Sequence, residues 1–341
     1  MFKFILSCIV FGTVMCSLSS EWERFKRDYG KQYATDAEEV KHKQLFIENI
    51  QRMHRFQQTH PDATFTMKIN HLADQRIEDL VSKKRSVVNT VHSTSFKESA
   101  EVKDLPASLD WRVKGVISPV QNQGRIQEMV LSVVSTEIIE SLHAIKTKKL
   151  VQGSSAQVFD CCQTIDDPFD CLKNLTGICR QSDYPDILRQ CNPNQCPIYA
   201  KFDTINRLTS KSETTMLSWI QDSTLWAGID ASAESFMLYD KGVYDVPNCE
   251  QTIWDHVIQI VGYGVEKGRP FWICKNSWGE TWGEKGYIRI VRGKNMCGIA
   301  SHVIQLDSKQ TSGANRPGDI ISIYFLVLLV TMAAKMGDQF N

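Results

Sequence analysis

Residues 119–131, Pro-Val-Gln-Asn-Gln-Gly-Arg-Ile-Gln-Glu-Met-Val-Leu, run a polar, glycine-containing loop straight into an apolar pattern. From Val130 to Ile145 the apolar residues Val130, Leu131, Val134, Ile138, Leu142 and Ile145 recur every three or four positions, which predicts a helix buried along one side. Met129 therefore stands at the N-terminus of that helix. Roughly half a positive charge gathers at such an end, enough to push a cysteine toward thiolate, the form that attacks a carbonyl. A methionine thioether has no proton to lose. It can neither form an ion pair with a histidine nor carry an acyl group through the two steps of covalent catalysis.

Two downstream motifs supply the rest of a site. Asp255-His256-Val257-Ile258-Gln259-Ile260-Val261-Gly262-Tyr263-Gly264 reads as a buried strand with a histidine at its head, and Lys275-Asn276-Ser277-Trp278-Gly279-Glu280-Thr281-Trp282-Gly283 follows it. Together with Asp110-Trp111-Arg112 and Gln121-Asn122-Gln123-Gly124, these stretches resemble the papain family of cysteine proteases, closest to its cathepsin L-like group. In that family the loop continues Cys-Gly-Ser-Cys-Trp, the second cysteine being the nucleophile. Here Ile126, Gln127, Glu128, Met129 and Val130 fill those places, and none matches. His256 and Asn276 fall roughly 130 and 150 residues beyond Met129, which is the family's spacing from nucleophile to base and orienting asparagine. The resemblance makes His256 the base, Asn276 its orienter, Trp278 the shield of their contact and Gln123 a side-chain donor of the oxyanion hole.

The resemblance implies an α+β, papain-like two-domain fold preceded by a helical inhibitory prosegment. Residues 1–17 begin with Lys3, pass through an apolar block and end in small residues, which reads as a secretory signal peptide. Residues 18–104 carry the prosegment: Glu39, Lys43, Phe46, Asn49, Met53 and Gln57 follow the spacing of its helix motif, and Asn70 and Asp74 keep part of a second motif. The peptidase-like part spans 105–305, with a helical half at about 105–200 and a barrel half at about 201–305. A chain without a nucleophile cannot remove its prosegment by self-cleavage, so the prosegment is expected in the cleft unless another protease cuts near Lys83-Lys84-Arg85. Departures concentrate in the helical half. Lys173 and Asn174 align with two glycines that let substrate backbone approach in the family, and a family helix before Asp183-Tyr184-Pro185 is expected to be missing. Asn174-Leu175-Thr176 is a glycosylation sequon, which this alignment sets at the cleft rim.

Outside the signal, nine cysteines remain, an odd number that leaves a free thiol. By resemblance Cys249 pairs with Cys297 and Cys161 with Cys191. The family's third bridge would join Cys171 to the place of Ile126 and cannot form. Cys274 is expected buried and free, and Cys162, Cys171, Cys179 and Cys196 allow three pairings that the sequence does not rank. No histidine-cysteine spacing is typical of zinc, so neither metal nor cofactor is expected. With a formal net charge of zero, nothing argues for nucleic acid. Residues 306–341 add a C-terminal extension whose segment 320–334 carries no charge. It is shorter than the ~17–25 residues of a span, and membrane span, lipid-anchor signal and soluble tail stay open.

The resulting expectation is a catalytically inactive homologue in the secretory pathway, extracellular, lysosomal or membrane-tethered, that binds peptides or proteins without cleaving them. An active endopeptidase with an altered nucleophile and a structural or inhibitory partner of active cathepsins or of their inhibitors are the alternatives. Ser132 and Glu128 are the nearest substitutes for the thiol. The serine lies a turn further on, and a carboxylate is a poor acyl carrier for amides.

Overall fold

A computed structural model describes residues 18–86, 105–162, 167–247 and 249–308. The signal peptide expected at residues 1–17, residues 87–104 and the apolar segment 320–334 lie outside the described residues.

The prosegment is built on two helices, α1 (18–28) and α2 (Asp36–Thr59). Thr35 starts α2 by accepting the Glu38 amide with its side chain, and Asp36, Glu38 and Glu39 place negative charge against the positive end of the helix dipole. One face of α2 buries Phe46, Asn49, Ile50 and Met53. Phe46 packs its ring 5.3 Å from Trp22 and 4.7 Å from Phe25 of α1, so three aromatic rings lock the pair. Strand β1 (Phe65–Met67) then leaves the helices and pairs antiparallel with strand β8 (Tyr239–Tyr244), Phe65 opposite Gly242. The prosegment thereby extends the sheet of the second half and shares one hydrophobic core with it.

That sheet runs β1, β8, β12 (Tyr287–Val291), β11 (Arg269–Lys275), β10 (His256–Glu266), β7 (Leu225–Ile229), β13 (His302–Asp307) and β6 (Thr204–Arg207), with β3 (Leu109–Asp110) added to β10. Strand β10 lies between β7 and β11, antiparallel to both, which explains its continuous apolar run: it is covered on both faces for nine residues. Its glycine at 262 is needed because a Cβ there would stand 2.2 Å from the carbonyl oxygen of Leu109. The β-rich second half that the resemblance implies is present, with Tyr287–Val291 among its strands.

The helical half centres on α3 (Met129–Thr147), one residue longer at its start than the apolar pattern indicates. Nearly all of α3 is buried, because α4 (Ser155–Cys161) covers one side and β10 the other. Its sequence therefore buries Glu137 and Glu140 as well as the apolar stripe. Glu137 meets Lys275 at 2.7 Å with both side chains fully buried, and Glu140 accepts the Gly153 amide at 2.6 Å. The Lys275 pair ties α3 to the end of β11, and so fixes the two halves of the site against each other.

One expectation is corrected here. A short helix, α5 (Phe169–Asn174), occupies the stretch before Asp183 where a helix was expected to be missing. Phe169 and Leu172 bury into the helical core beside Phe202 and Trp226. Lys173 and Asn174 end that helix instead of standing as replacements for close-approach glycines. A different glycine is packed tightly within the chain: at Gly177, φ 129°, a Cβ would meet the carbonyl oxygen of Ala200 at 2.1 Å as strand β4 (Ile178–Cys179) pairs with β5 (Ile198–Ala200).

The disulfides are Cys161–Cys191, Cys162–Cys171, Cys179–Cys196 and Cys249–Cys297, and Cys274 is free and buried. Of the three pairings open to Cys162, Cys171, Cys179 and Cys196, tertiary structure selects the one in which Cys162 reaches across to Cys171 of α5 and Cys179 of β4 bridges to Cys196 just before β5.

Candidate active site

Backbone hydrogen bonds hold the loop before α3 against the segment after β11. The Gln123 amide donates to Ser277 O at 2.8 Å, the Gly279 amide to Gln121 O at 3.0 Å, and Asn122 bridges to Trp278. Met129 heads α3, 9 % exposed, packed with Val133 and Phe159 and flanked by Ile126 and Ile187. Its backbone amide donates to Ile126 O at 3.0 Å.

His256 is the first residue of β10 and is fully buried. Its Nε2 meets Asn276 Oδ1 at 2.7 Å, and the same oxygen accepts the Ser277 amide at 2.8 Å. A carbonyl oxygen taking two donors fixes the asparagine's orientation and makes Nε2 the protonated ring nitrogen. Nδ1 then carries the lone pair. It has no hydrogen-bond partner among the described residues. Trp278 covers the ring at 4.8 Å between centroids and Phe236 stands edge-on at 6.4 Å. Burial pushes the imidazole down to about 4, against a smaller upward pull from Asn276, so His256 is neutral at pH 7. The neighbouring Asp255 moves the other way, up to about 6, again chiefly through burial.

Gln123 is buried, with Oε1 accepting from Ser277 Oγ at 2.7 Å and Nε2 donating to Leu80 O at 3.2 Å. Leu80 belongs to the prosegment, whose backbone crosses the site: Gln127 Nε2 donates to Glu78 O at 2.7 Å, and both the amide and the hydroxyl of Ser82 donate to Asp255 O at 2.8 Å. Strand β2 (Arg85–Ser86) then pairs with β9 (Ile253–Trp254), directly before His256, and the Arg85 guanidinium lies 4.9 Å over the Trp254 ring. Lys83 and Lys84 are exposed between these anchors.

Through Ser277, hydrogen bonds link Gln123 to Asn276 and His256, and Met129 heads the helix that follows the loop carrying Gln123. Asn174 is exposed at the end of α5 beside Thr176, Pro193 and Gln195, and among the described residues no hydrogen bond between prosegment and peptidase-like part reaches it. Sequence reasoning missed Gln127 and Asp255 as contacts of the prosegment. Gln127 was legible only as a mismatch, and Asp255 acts through its backbone carbonyl, which no residue pattern signals. Among the described residues no cluster of histidine, cysteine, aspartate or glutamate could hold a metal ion.

A loop-headed helix facing a histidine–asparagine strand pair, with a helical segment laid across the cleft, defines a cysteine-protease scaffold in its proform. The chain belongs to the papain family of cysteine proteases: residues 105–306 match "Papain family cysteine protease" and residues 22–80 match "Cathepsin propeptide inhibitor domain (I29)". It is 31% identical over 309 residues to digestive cysteine proteinase 2 of Homarus americanus, covering 85% of this chain and 95% of that one. It is 30% identical to procathepsin L of Felis catus, covering 84% of this chain and 91% of the relative. Among solved structures, digestive procathepsin L2 proteinase from Tenebrio molitor larval midgut superposes with a TM-score of 0.74 at 28% identity, over 85% of this chain and 99% of that one.

Proposed function

We propose that this chain is a non-cleaving cathepsin L-like homologue that holds peptides or protein segments in its cleft. The observation that carries the reading is the residue at the head of α3: a thioether packed against Val133 and Phe159 where chemistry needs a thiolate beside the free Nδ1 of His256. Two further features support it. His256 is neutral and has no ionisable sulfur to pair with, and the Met129 amide is already engaged by Ile126 O. Ser132 is buried a turn inside α3, about 4.5 Å further along the axis, and burial pushes the Cys274 thiol well up, so neither replaces the missing nucleophile. The four disulfides suit a chain of the secretory pathway, and we read the exposed Asn174 as a glycan acceptor away from the cleft.

The retained His256–Asn276 pair favours one other reading, an active endopeptidase with an altered nucleophile. Both are tested by incubating the chain, its prosegment removed by an added protease that is then inhibited, with a dye-quenched peptide library beside Met129→Cys. The native chain is expected to be silent. Cutting by Met129→Cys would establish that the base and cleft are competent. Cutting by the native chain that disappears in His256→Ala would overturn the proposal.

A further inference from the structure

Gln127 is the one substituted loop residue with a specific ligand. The prosegment turn Ile77–Asp79 closes on the carbonyls of Arg76 and Ile77, through the amides of Asp79, Leu80 and Val81. The carbonyls of Glu78 and Leu80 are not used by that turn. Gln127 takes the first at 2.7 Å and Gln123 the second at 3.2 Å, two amide donors from one loop reaching two carbonyls two residues apart. Beneath them Ile77, Leu80 and Val81 are buried in the core that the prosegment shares with the barrel half. Immediately beyond, Ser82 donates twice to Asp255 O.

We propose that Gln123 and Gln127 form a peptide-backbone clamp, with prosegment residues 77–82 as its resident occupant. The class of ligand the clamp accepts is a single-turn peptide segment with aliphatic side chains at its first, fourth and fifth positions and a hydroxyl at its sixth. In the related family's loop the place of Gln127 holds glycine, which has no side-chain donor, so the clamp belongs to this chain's own substitutions. Loss of the nucleophile and gain of the donor then act in one direction: the cleft keeps a backbone instead of cutting it. The inference rests on the non-cleaving reading for its meaning, though not for its geometry.

The test uses the full chain with its prosegment attached. Amide exchange at Ser82, whose hydrogen is held by Asp255 O, reports how often the 77–82 segment lifts off. Gln127→Ala is expected to speed that exchange about three- to tenfold, the effect of one lost hydrogen bond. Gln127→Glu keeps the volume but sets an acceptor against the Glu78 carbonyl, and is expected to speed it at least as much. Glu128→Ala, at an exposed neighbour with no hydrogen bond or ion pair to the prosegment among the described residues, leaves it unchanged. Trypsin cleavage after the exposed Lys83 and Lys84 follows the same order. Unchanged exchange in both Gln127 variants, with a native aromatic circular dichroism signal, overturns the clamp. Peptide cleavage by the native chain overturns the non-cleaving reading and leaves the exchange result standing, so the two failures are distinguishable.

Discussion

His256 Nε2 donates to Asn276 Oδ1 at 2.7 Å, while Nδ1 of the same ring is buried without a hydrogen-bond partner among the described residues. The pair is oriented for proton transfer at an atom that faces no proton donor. Its pH behaviour follows. In the unfolded chain the imidazole titrates near 6.5; in the folded chain burial holds it to about 4. Above pH 6.5 both states are neutral and nothing is lost. Between about 6.5 and 4 the unfolded state takes up a proton the native state refuses, so stability falls as pH falls, by roughly 3 kcal/mol for this group. His71, also held to about 4 by burial and the nearby Lys31, acts in the same window. Urea unfolding at pH 7, 5 and 4 is expected to show that loss, and His256→Gln to remove its share. A C2-proton resonance of His256 titrating near 6.5 would contradict the buried neutral state.

Lys275 and Glu137 form the buried tie between β11 and α3. Lys275→Met leaves Glu137 without its cation in a site where burial already lifts the carboxyl to about 7. The expected loss is about 3–5 kcal/mol by chemical denaturation. Adding Glu137→Met should restore most of it, because the pair itself contributes little beyond cancelling its own desolvation. A double variant as unstable as the single one would show that the charges do more than compensate each other.

Cys274 is the only free cysteine among the described residues, and its thiol pKa is pushed well up by complete burial. Iodoacetamide at pH 8 is therefore expected to leave Cys274 of the folded chain unmodified and to label it after denaturation without reductant. Labelling of the folded chain would mean that the strand carrying Cys274 opens, and with it the segment carrying Asn276.

Gly177 and Lys173 lie close in sequence but in opposite surroundings. Gly177→Ala puts a Cβ against Ala200 O and forces a side chain at φ 129°, for which about 2 kcal/mol or more of destabilisation is expected. Lys173→Gly costs only the helix propensity of an exposed terminal position, about 1 kcal/mol. Thermal melts of the two variants check the difference. Equal effects would contradict the tight packing of Gly177 against Ala200.

Much of the site was legible because it is written in local patterns. The apolar spacing from Val130 to Ile145 announces α3, the run after His256 announces a strand covered on both faces, and the long separation from the head of α3 to Asn276 matches the family's spacing. The helical half was harder to read. Its cysteines are close in sequence and compatible with several pairings, and the short α5 has too few residues to show a helical period. Its assignment depends on Phe169 and Leu172 reaching Phe202 and Trp226, contacts between residues that no window of sequence contains.

By itself the sequence determined the family frame, the α+β architecture, the methionine at the head of the first buried helix after the loop and the odd cysteine. Those depend on residue identity and on periodicities of 3.6 and 2, which are local properties of the chain. Only the tertiary structure decided which cysteines pair, where Gly177 must bend the backbone, that His256 is neutral, and that Gln123 and Gln127 grip the prosegment. Each of those depends on which distant groups share a volume, since burial sets the imidazole's charge and a carbonyl offers a glutamine nothing until folding brings it within about 3 Å.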